Sequence, residues 1–394
     1  MRLLPWDYGV RNLLRRPLRT VLTALGLTLV VFLLLLVVSF LRGLDTSLAQ
    51  SGDPQVVLVH SITAGDNLEN SSIGDQVPTL VRSELAEHVA QRGEVLALSP
   101  ELYISTTLRP ATENAAAQFA VFRGVRPEVF LVRRKAFITE GAFPKSGEVL
   151  VGRLAAAKLG MREEDLAVGQ TITVEGATWR VSGHFAAPGT LLEAEIWVPL
   201  DDLKQQMKRP NDVSVVAVLL NPQGDRRRQL GDFDDFCRFR YRDLELAASP
   251  ETDYYGSLQK HYQPIRALAW LLVVLVGAAG ACGAVNTMYA AVAGRVREFA
   301  ALQAVGFPRR AIGLSLLQES VLLAAVATLT ATGLALVLLQ GMAIRFTMGA
   351  FTLQLDQLAL LVGCGAGLAL GVVGAIPPAV RAFRLPITAA LKAV

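Results

Sequence analysis

Cysteine, histidine and charge are all scarce in this chain, and each scarcity removes a class of function. Three of the 394 residues are cysteine; Cys282 and Cys364 lie inside apolar runs, so Cys237 is alone in the polar part and no intramolecular disulfide can staple that part. The histidines His60, His88, His184 and His261 show neither an H-E-x-x-H motif nor paired ligand spacing, which excludes a motif-defined metal centre. Charged residues make up only 18% of the chain with a net charge of +4, and no basic stripe interleaved with aromatics offers a surface to nucleic acid. Ser257 and Lys260 match a serine–lysine spacing but lack the partner motifs such an enzyme needs. No catalytic residue, cofactor site or metal ligand is therefore assigned.

What the chain has in abundance is apolar length. Hydrophobic residues make up 52% and the mean hydropathy is +0.40, values of a membrane protein with a large polar part. Thr20–Leu41 carries no charge for 22 residues, enough to cross a hydrocarbon core about 30 Å thick. Ala267–Gly294 is charge-free for 28 residues; Ile312–Ile344 is interrupted only by Glu319, and Gln357–Val380 ends at Pro377-Pro378. The expected order is an interfacial helix over 1–19, spans over 20–42, 265–294, 312–344 and 357–380, an outer loop over 345–356 and a tail over 381–394. A cleaved signal peptide ending near Ser47-Leu48-Ala49 competes with the first span, but the apolar run is too long, and Arg42 and Asp45 precede the site.

Arginine sets the orientation. Arg2, Arg11, Arg15, Arg16 and Arg19 precede the first span, Arg295, Arg297, Arg309 and Arg310 lie between the second and third, and Arg381, Arg384 and Lys392 follow the fourth. Excess Arg and Lys in short loops marks the cytoplasmic side, so both termini are expected inside and residues 43–264 outside. That stretch of about 220 residues is large enough to bury its own core. Short strands are expected at 55–60, 94–98, 118–124, 148–151, 171–174, 178–183, 196–199 and 213–220, with helices at 79–91, 153–160 and 225–236. The fold class is thus membrane α-helical, with four transmembrane helices and a large inserted α+β extracytoplasmic domain.

Residues 295–311 form a short amphipathic segment between two spans, stopped by Gly306 and Pro308, which reads as a helix at the membrane surface. Gly363, Gly367 and Gly371 repeat at four-residue spacing on one face of the fourth span, a packing surface for a neighbouring helix. Glu319, an intramembrane charge, is expected to pair with Arg309 or Arg310.

Several segments together resemble the permease subunits of ABC transporters of the MacB, LolC/LolE and FtsX type. They are Arg11-Asn12-Leu13-Leu14-Arg15-Arg16-Pro17-Leu18-Arg19-Thr20, the stretch from Arg297-Glu298 through Leu302, Gly306 and Arg310, and the terminal Pro377 to Leu391 region with Arg381-Ala382 and Pro386-Ile387. Phe122-Arg123-Gly124-Val125, Glu140-Gly141 and Gly147-Glu148-Val149-Leu150-Val151-Gly152 look like the extracytoplasmic domain of MacB-type members. The resemblance implies a multi-pass permease of the bacterial inner membrane, working as a homo- or heterodimer, with Val296 to Gly306 as a coupling helix on an ABC ATPase subunit. Phe299, Leu302 and Val305 would be its apolar contacts, Arg297 and Glu298 the polar rim and Gly306 the turn back to the membrane. No G-x-x-x-x-G-K-[ST] loop occurs in the sequence, so no cofactor is expected on this chain; ATP and Mg belong to the partner ATPase. Movement relayed to the outer domain would drive export or efflux with a periplasmic adaptor; the alternatives are a lipoprotein-releasing permease working with a carrier protein, and an FtsX-like transducer that activates a cell-wall hydrolase.

Overall fold

The structure, a computed structural model, describes residues 11–384 apart from 12, 16, 66, 111–117 and 347–348. Most of the expected interfacial helix, including Asn12 and Arg16, lies outside the described residues, as do Pro386-Ile387 and Lys392 of the tail. The chain divides into two compact units, one of residues 1–43, 264–342 and 353–394, the other of 44–263 and 343–352.

The first unit holds the four long apolar helices, Pro17–Ser51, Gln263–Ala293, Arg309–Leu338 and Gln357–Arg384. The first helix does not stop at Arg42. Its last turns belong to the second unit, where Leu44, Ser47 and Leu48 are buried, so the candidate cleavage site is packed inside a helix. The fourth helix runs through Pro377 and Pro378 to Arg384 instead of ending there. Each proline removes one N–H from the helical ladder, a loss that neighbouring helices make tolerable at membrane depth. Asp356 begins this helix by accepting from the Ala359 N–H at 2.9 Å, and it also receives the Arg42 Nε at 2.7 Å.

Small residues set how closely these helices approach. A side-chain carbon added at Gly363 would meet Leu35 of the first helix, at Gly367 Thr328 of the third and Val31 of the first, and at Gly371 Ala324 of the third. Ser320 Oγ donates to the Gly371 carbonyl at 2.6 Å, so the glycine stripe admits a backbone hydrogen bond as well as close packing. Gly365, on the opposite face, meets nothing. Gly371→Val is expected to lower the yield of monodisperse folded protein several-fold, consistent with about 1–3 kcal/mol for overpacking, while Gly365→Val leaves it unchanged. Size-exclusion chromatography of the two variants in detergent checks this.

The second unit is α+β, built on a ten-stranded mixed sheet. In spatial order its strands are Leu246–Pro250, Val56–Ser61, Val215–Leu219, Leu98–Pro110, Gln118–Val125, Ile196–Pro199, Glu148–Gly152, Ala177–Ala186 and Phe137–Gly141. Thr171–Val174 pairs both with Ala177–Ala186 and with the far end of Leu98–Pro110, so six of the strands close on themselves. Most pairings are antiparallel; Ile196–Pro199 on Gln118–Val125 and Glu148–Gly152 on Ala177–Ala186 are parallel. Leu98–Pro110 is therefore shared. Its first residues pair with Val215–Leu219 and its remainder, from Leu102, with Gln118–Val125, making it the seam between an open lobe and a closed one.

Charge is buried at that seam. Glu101, Arg123, Arg133 and Glu251 are at most 4% exposed and Glu195 is 8% exposed. Arg123 forks onto Glu195, with Nε 2.7 Å from Oε2, and also reaches Glu101; Arg133 bridges Glu101 at 3.1 Å and Glu251. Three carboxylates face two guanidinium groups, and neutral donors offset the surplus. Tyr103 O–H donates to Glu101 at 3.1 Å, Trp197 Nε1–H to Glu195 at 3.0 Å and the Asp53 N–H to Glu251 at 2.9 Å. Asp53 follows the first long helix by two residues, and Glu251 opens the helix Glu251–His261 that precedes the second. Elsewhere in this unit Cys237 is buried, which pushes its thiol up to about 12 and leaves it unreactive.

The expected outer loop is instead a hairpin, Ala343–Phe346 paired with Gly349–Thr352, and the third helix ends at Leu338 rather than at 344. Ala350 packs with Leu154 and Ala194, Lys158 Nζ donates to the Phe346 carbonyl at 2.6 Å, and the Phe346 ring lies 5.5 Å from that of Tyr262. These contacts make it part of the second unit, so the link between the third and fourth helices lies on the same side of the membrane as residues 44–263.

Candidate functional site

Between the second and third long helices stands a nine-residue helix, Val296–Ala304. It ends in a Schellman motif: the Phe307 N–H bonds the Leu302 carbonyl at 3.1 Å and the Gly306 N–H bonds that of Gln303 at 3.0 Å. Gly306 takes a φ of +101°, which only glycine adopts without strain, and Pro308 then begins the third long helix. Each of the flanking helices has 30 residues or more, so at 1.5 Å per residue the segment lies about 45 Å from the far end of each.

The short helix has two faces. Phe299 is 5% exposed and Ala300 2%; Phe299 packs with Val292, Ile312, Leu316 and Ala379, with Leu302 half-buried beside them. Arg297, Ala301, Ala304 and Val305 are exposed on the other side, Val305 at 70%. Phe299, expected among the contacts to an ATPase, is thus occupied by its own bundle, because a nine-residue helix is held in place only by burying an apolar face. Of the other residues expected to meet an ATPase, Arg297, Glu298 and Val305 are exposed, Leu302 straddles the two faces and Gly306 makes the turn.

Glu319 pairs with neither Arg309 nor Arg310, which are exposed. It accepts from Arg295 Nη1 at 2.8 Å, and both groups are buried, at 8% and 7% exposed. Arg295 Nε also holds Glu298 at 3.2 Å, and its guanidinium lies 5.0 Å from the centre of the Phe299 ring. A residue at the start of the short helix is therefore tied to the interior of the third long helix nearly three turns beyond its start. Sequence reading placed Arg295 in the polar flank and did not identify it as the partner, because the turn that folds it back lies in the loop geometry. Among the described residues no cluster of His, Cys, Asp or Glu could hold a metal ion.

Four membrane-length helices, an inserted α+β unit between the first two and a short two-faced helix between the next two define a permease of the ABC-transporter type. The chain belongs to the MacB/FtsX-like permease family: residues 20–228 match the family described as MacB-like periplasmic core domain, and residues 270–387 match the FtsX-like permease C-terminal family. A curated relative, the macrolide export ATP-binding/permease protein MacB 1/2 of Paracoccus denitrificans, is 23% identical over 383 residues, which are 95% of this chain and 56% of that protein. The chain thus spans about half the length of the relative. Among solved structures, the periplasmic region of MacB from Actinobacillus actinomycetemcomitans aligns with a TM-score of 0.41 at 8% identity, covering 53% of this chain and 94% of that one. The extracellular domain of the noncanonic ABC-type transporter YknZ from Gram-positive bacteria aligns at 0.37 and 14% identity, covering 49% and 99%.

Proposed function

We propose that this chain is the non-catalytic membrane subunit through which a partner ATPase, holding ATP and Mg, drives conformational change in the extracytoplasmic unit. The work it powers is export or efflux, with a second permease chain and a periplasmic adaptor completing the assembly in the bacterial inner membrane. The observation that carries this reading is the two-faced helix Val296–Ala304, anchored by Phe299 and the Arg295–Glu319 pair and open along Arg297, Ala301 and Val305. An anchored helix with one exposed face transmits a push; a loose loop absorbs it. The relative is a macrolide export ATP-binding/permease protein, which supports both an ATP-driven engine and export as the direction of transport. Arg295, Arg297, Arg309 and Arg310 support a cytoplasmic position for the segment, and with it both termini.

Val305→Asp tests the open face without touching the packed one. Association with the ATPase, measured by co-purification, is expected to fall by about tenfold or more, the loss that burying a carboxylate in an apolar contact produces. Membrane insertion should be unchanged. Undiminished co-purification, or labelling of a cysteine at position 305 from the same side as one at position 137, would remove the reading.

A further inference from the structure

At the end of the first unit that carries the short helix, a cleft opens between the first, second and third long helices. Leu13, Met288, Ala291 and Leu323 give it apolar walls, and Arg15, Arg19 and Arg295 give it positive charge. Its two carboxylates, Glu298 and Glu319, are both held by Arg295, at 3.2 and 2.8 Å. Arg19 is held instead by a neutral group, the Thr287 carbonyl, 2.9 Å from Nη2, and Arg15 is exposed. Among the described residues the cleft therefore carries a surplus of positive charge, with no lining carboxylate beyond the two that Arg295 holds.

The depth of this charge restricts what neutralises it. Both arginines precede the charge-free run Thr20–Leu41 by no more than five residues, which is the level of lipid headgroups. Leu14 and, on the first long helix, Leu18, Leu22 and Leu25 are more than 60% exposed, a face suited to hydrocarbon. The cleft thus joins a guanidinium-lined polar end to apolar walls at the boundary between headgroup and acyl chain. Guanidinium is the side chain best matched to phosphate, since its fork donates two parallel hydrogen bonds. The threonine hydroxyls nearby already donate to carbonyls, Thr23 to Arg19 and Thr287 to Gly283 and Ala284, so arginine is the donor left for a ligand. We infer that this cleft binds the phosphate of an anionic phospholipid, with one acyl chain along Leu13, Met288 and Leu323. A lipid carrying a headgroup ammonium is disfavoured, because both acids that would receive it are engaged by Arg295.

The full chain, purified in mild detergent with added phosphatidylglycerol or phosphatidylcholine, provides the test by native mass spectrometry. One phosphatidylglycerol is expected to stay bound per chain, at least about tenfold more than phosphatidylcholine, and millimolar inorganic phosphate should not displace it. Arg15→Gln should reduce retention about tenfold, Arg15→Lys less, and Arg309→Gln, an exposed arginine of the same end outside the cleft, not at all. Arg15→Gln retaining lipid as the unaltered chain does, equal retention of the two lipids, equal loss in Arg309→Gln, or displacement by inorganic phosphate would each overturn the assignment. The measurement needs no ATPase, so it is independent of the coupling reading.

Discussion

Glu101→Gln is expected to lower the unfolding midpoint of the extracytoplasmic unit by about 10 °C near neutral pH. The carboxylate is 0% exposed and serves two buried guanidinium groups, so neutralising it leaves positive charge buried, a loss of about 3–5 kcal/mol. Each kcal/mol moves the midpoint of a domain this size by about 2–4 °C. The pH dependence separates this cause from a general packing defect. Burial alone would raise the Glu101 carboxyl, but Arg133 and Arg123 override it and hold it at about 2, below the ordinary 4.5. A carboxyl lowered on folding contributes stability that is fully present above its unfolded value and is lost as pH falls toward its folded one. The gap between wild type and variant should therefore be widest above pH 5 and shrink steadily toward pH 2. Trp197, whose indole donates to Glu195 in the same cluster, supplies a fluorescence signal for the melt. A constant gap across that range would show that the carboxylate's charge plays no part.

Arg295→Met is expected to abolish coupling while the chain still inserts. Removing the guanidinium leaves Glu319 buried in the third helix with no cation and releases Glu298 at the start of the short helix. Breaking a buried pair on one side costs about 3–5 kcal/mol, whereas replacing both partners by apolar residues is often neutral. The double variant Arg295→Met, Glu319→Met should therefore regain folded yield. If the pair positions the short helix, the double variant should still show partner-dependent ATP turnover at least about tenfold below wild type, because nothing then links residue 295 to the third helix. Wild-type turnover in the double variant would reduce the pair to a folding device. Reconstitution with the ATPase and measurement of phosphate release decide between the two.

Much of this architecture was legible in the sequence, for a physical reason. A bilayer imposes length and polarity on each crossing segment, and arginine marks the ends, so four spans, one large insert and their order followed from runs of residue type. The glycines at 363, 367 and 371 were legible as a packing face because their spacing follows the helical turn. Several strands in the insert were located where apolar residues alternate, but the strand expected over 94–98 reaches only the first residue of Leu98–Pro110, and Phe137–Gly141 and Leu246–Pro250 were not located. The hairpin at 343–352 was hidden because its strands are four residues each and the residues it packs against, Leu154, Lys158, Ala194 and Tyr262, lie far away in sequence.

The sequence by itself determined where the chain meets lipid and where it meets water, since those preferences belong to each residue and its near neighbours. Only the tertiary structure decided which charges face one another: Glu319 with Arg295 rather than Arg309 or Arg310, and five ionisable groups gathered at one seam from positions 101 to 251. It also decided which face of the short helix is exposed, turning Phe299 inward and Val305 outward. Composition and periodicity are local quantities, but pairing of buried charge depends on contacts between residues far apart in the chain, and on desolvation that exists only once the fold has closed around them.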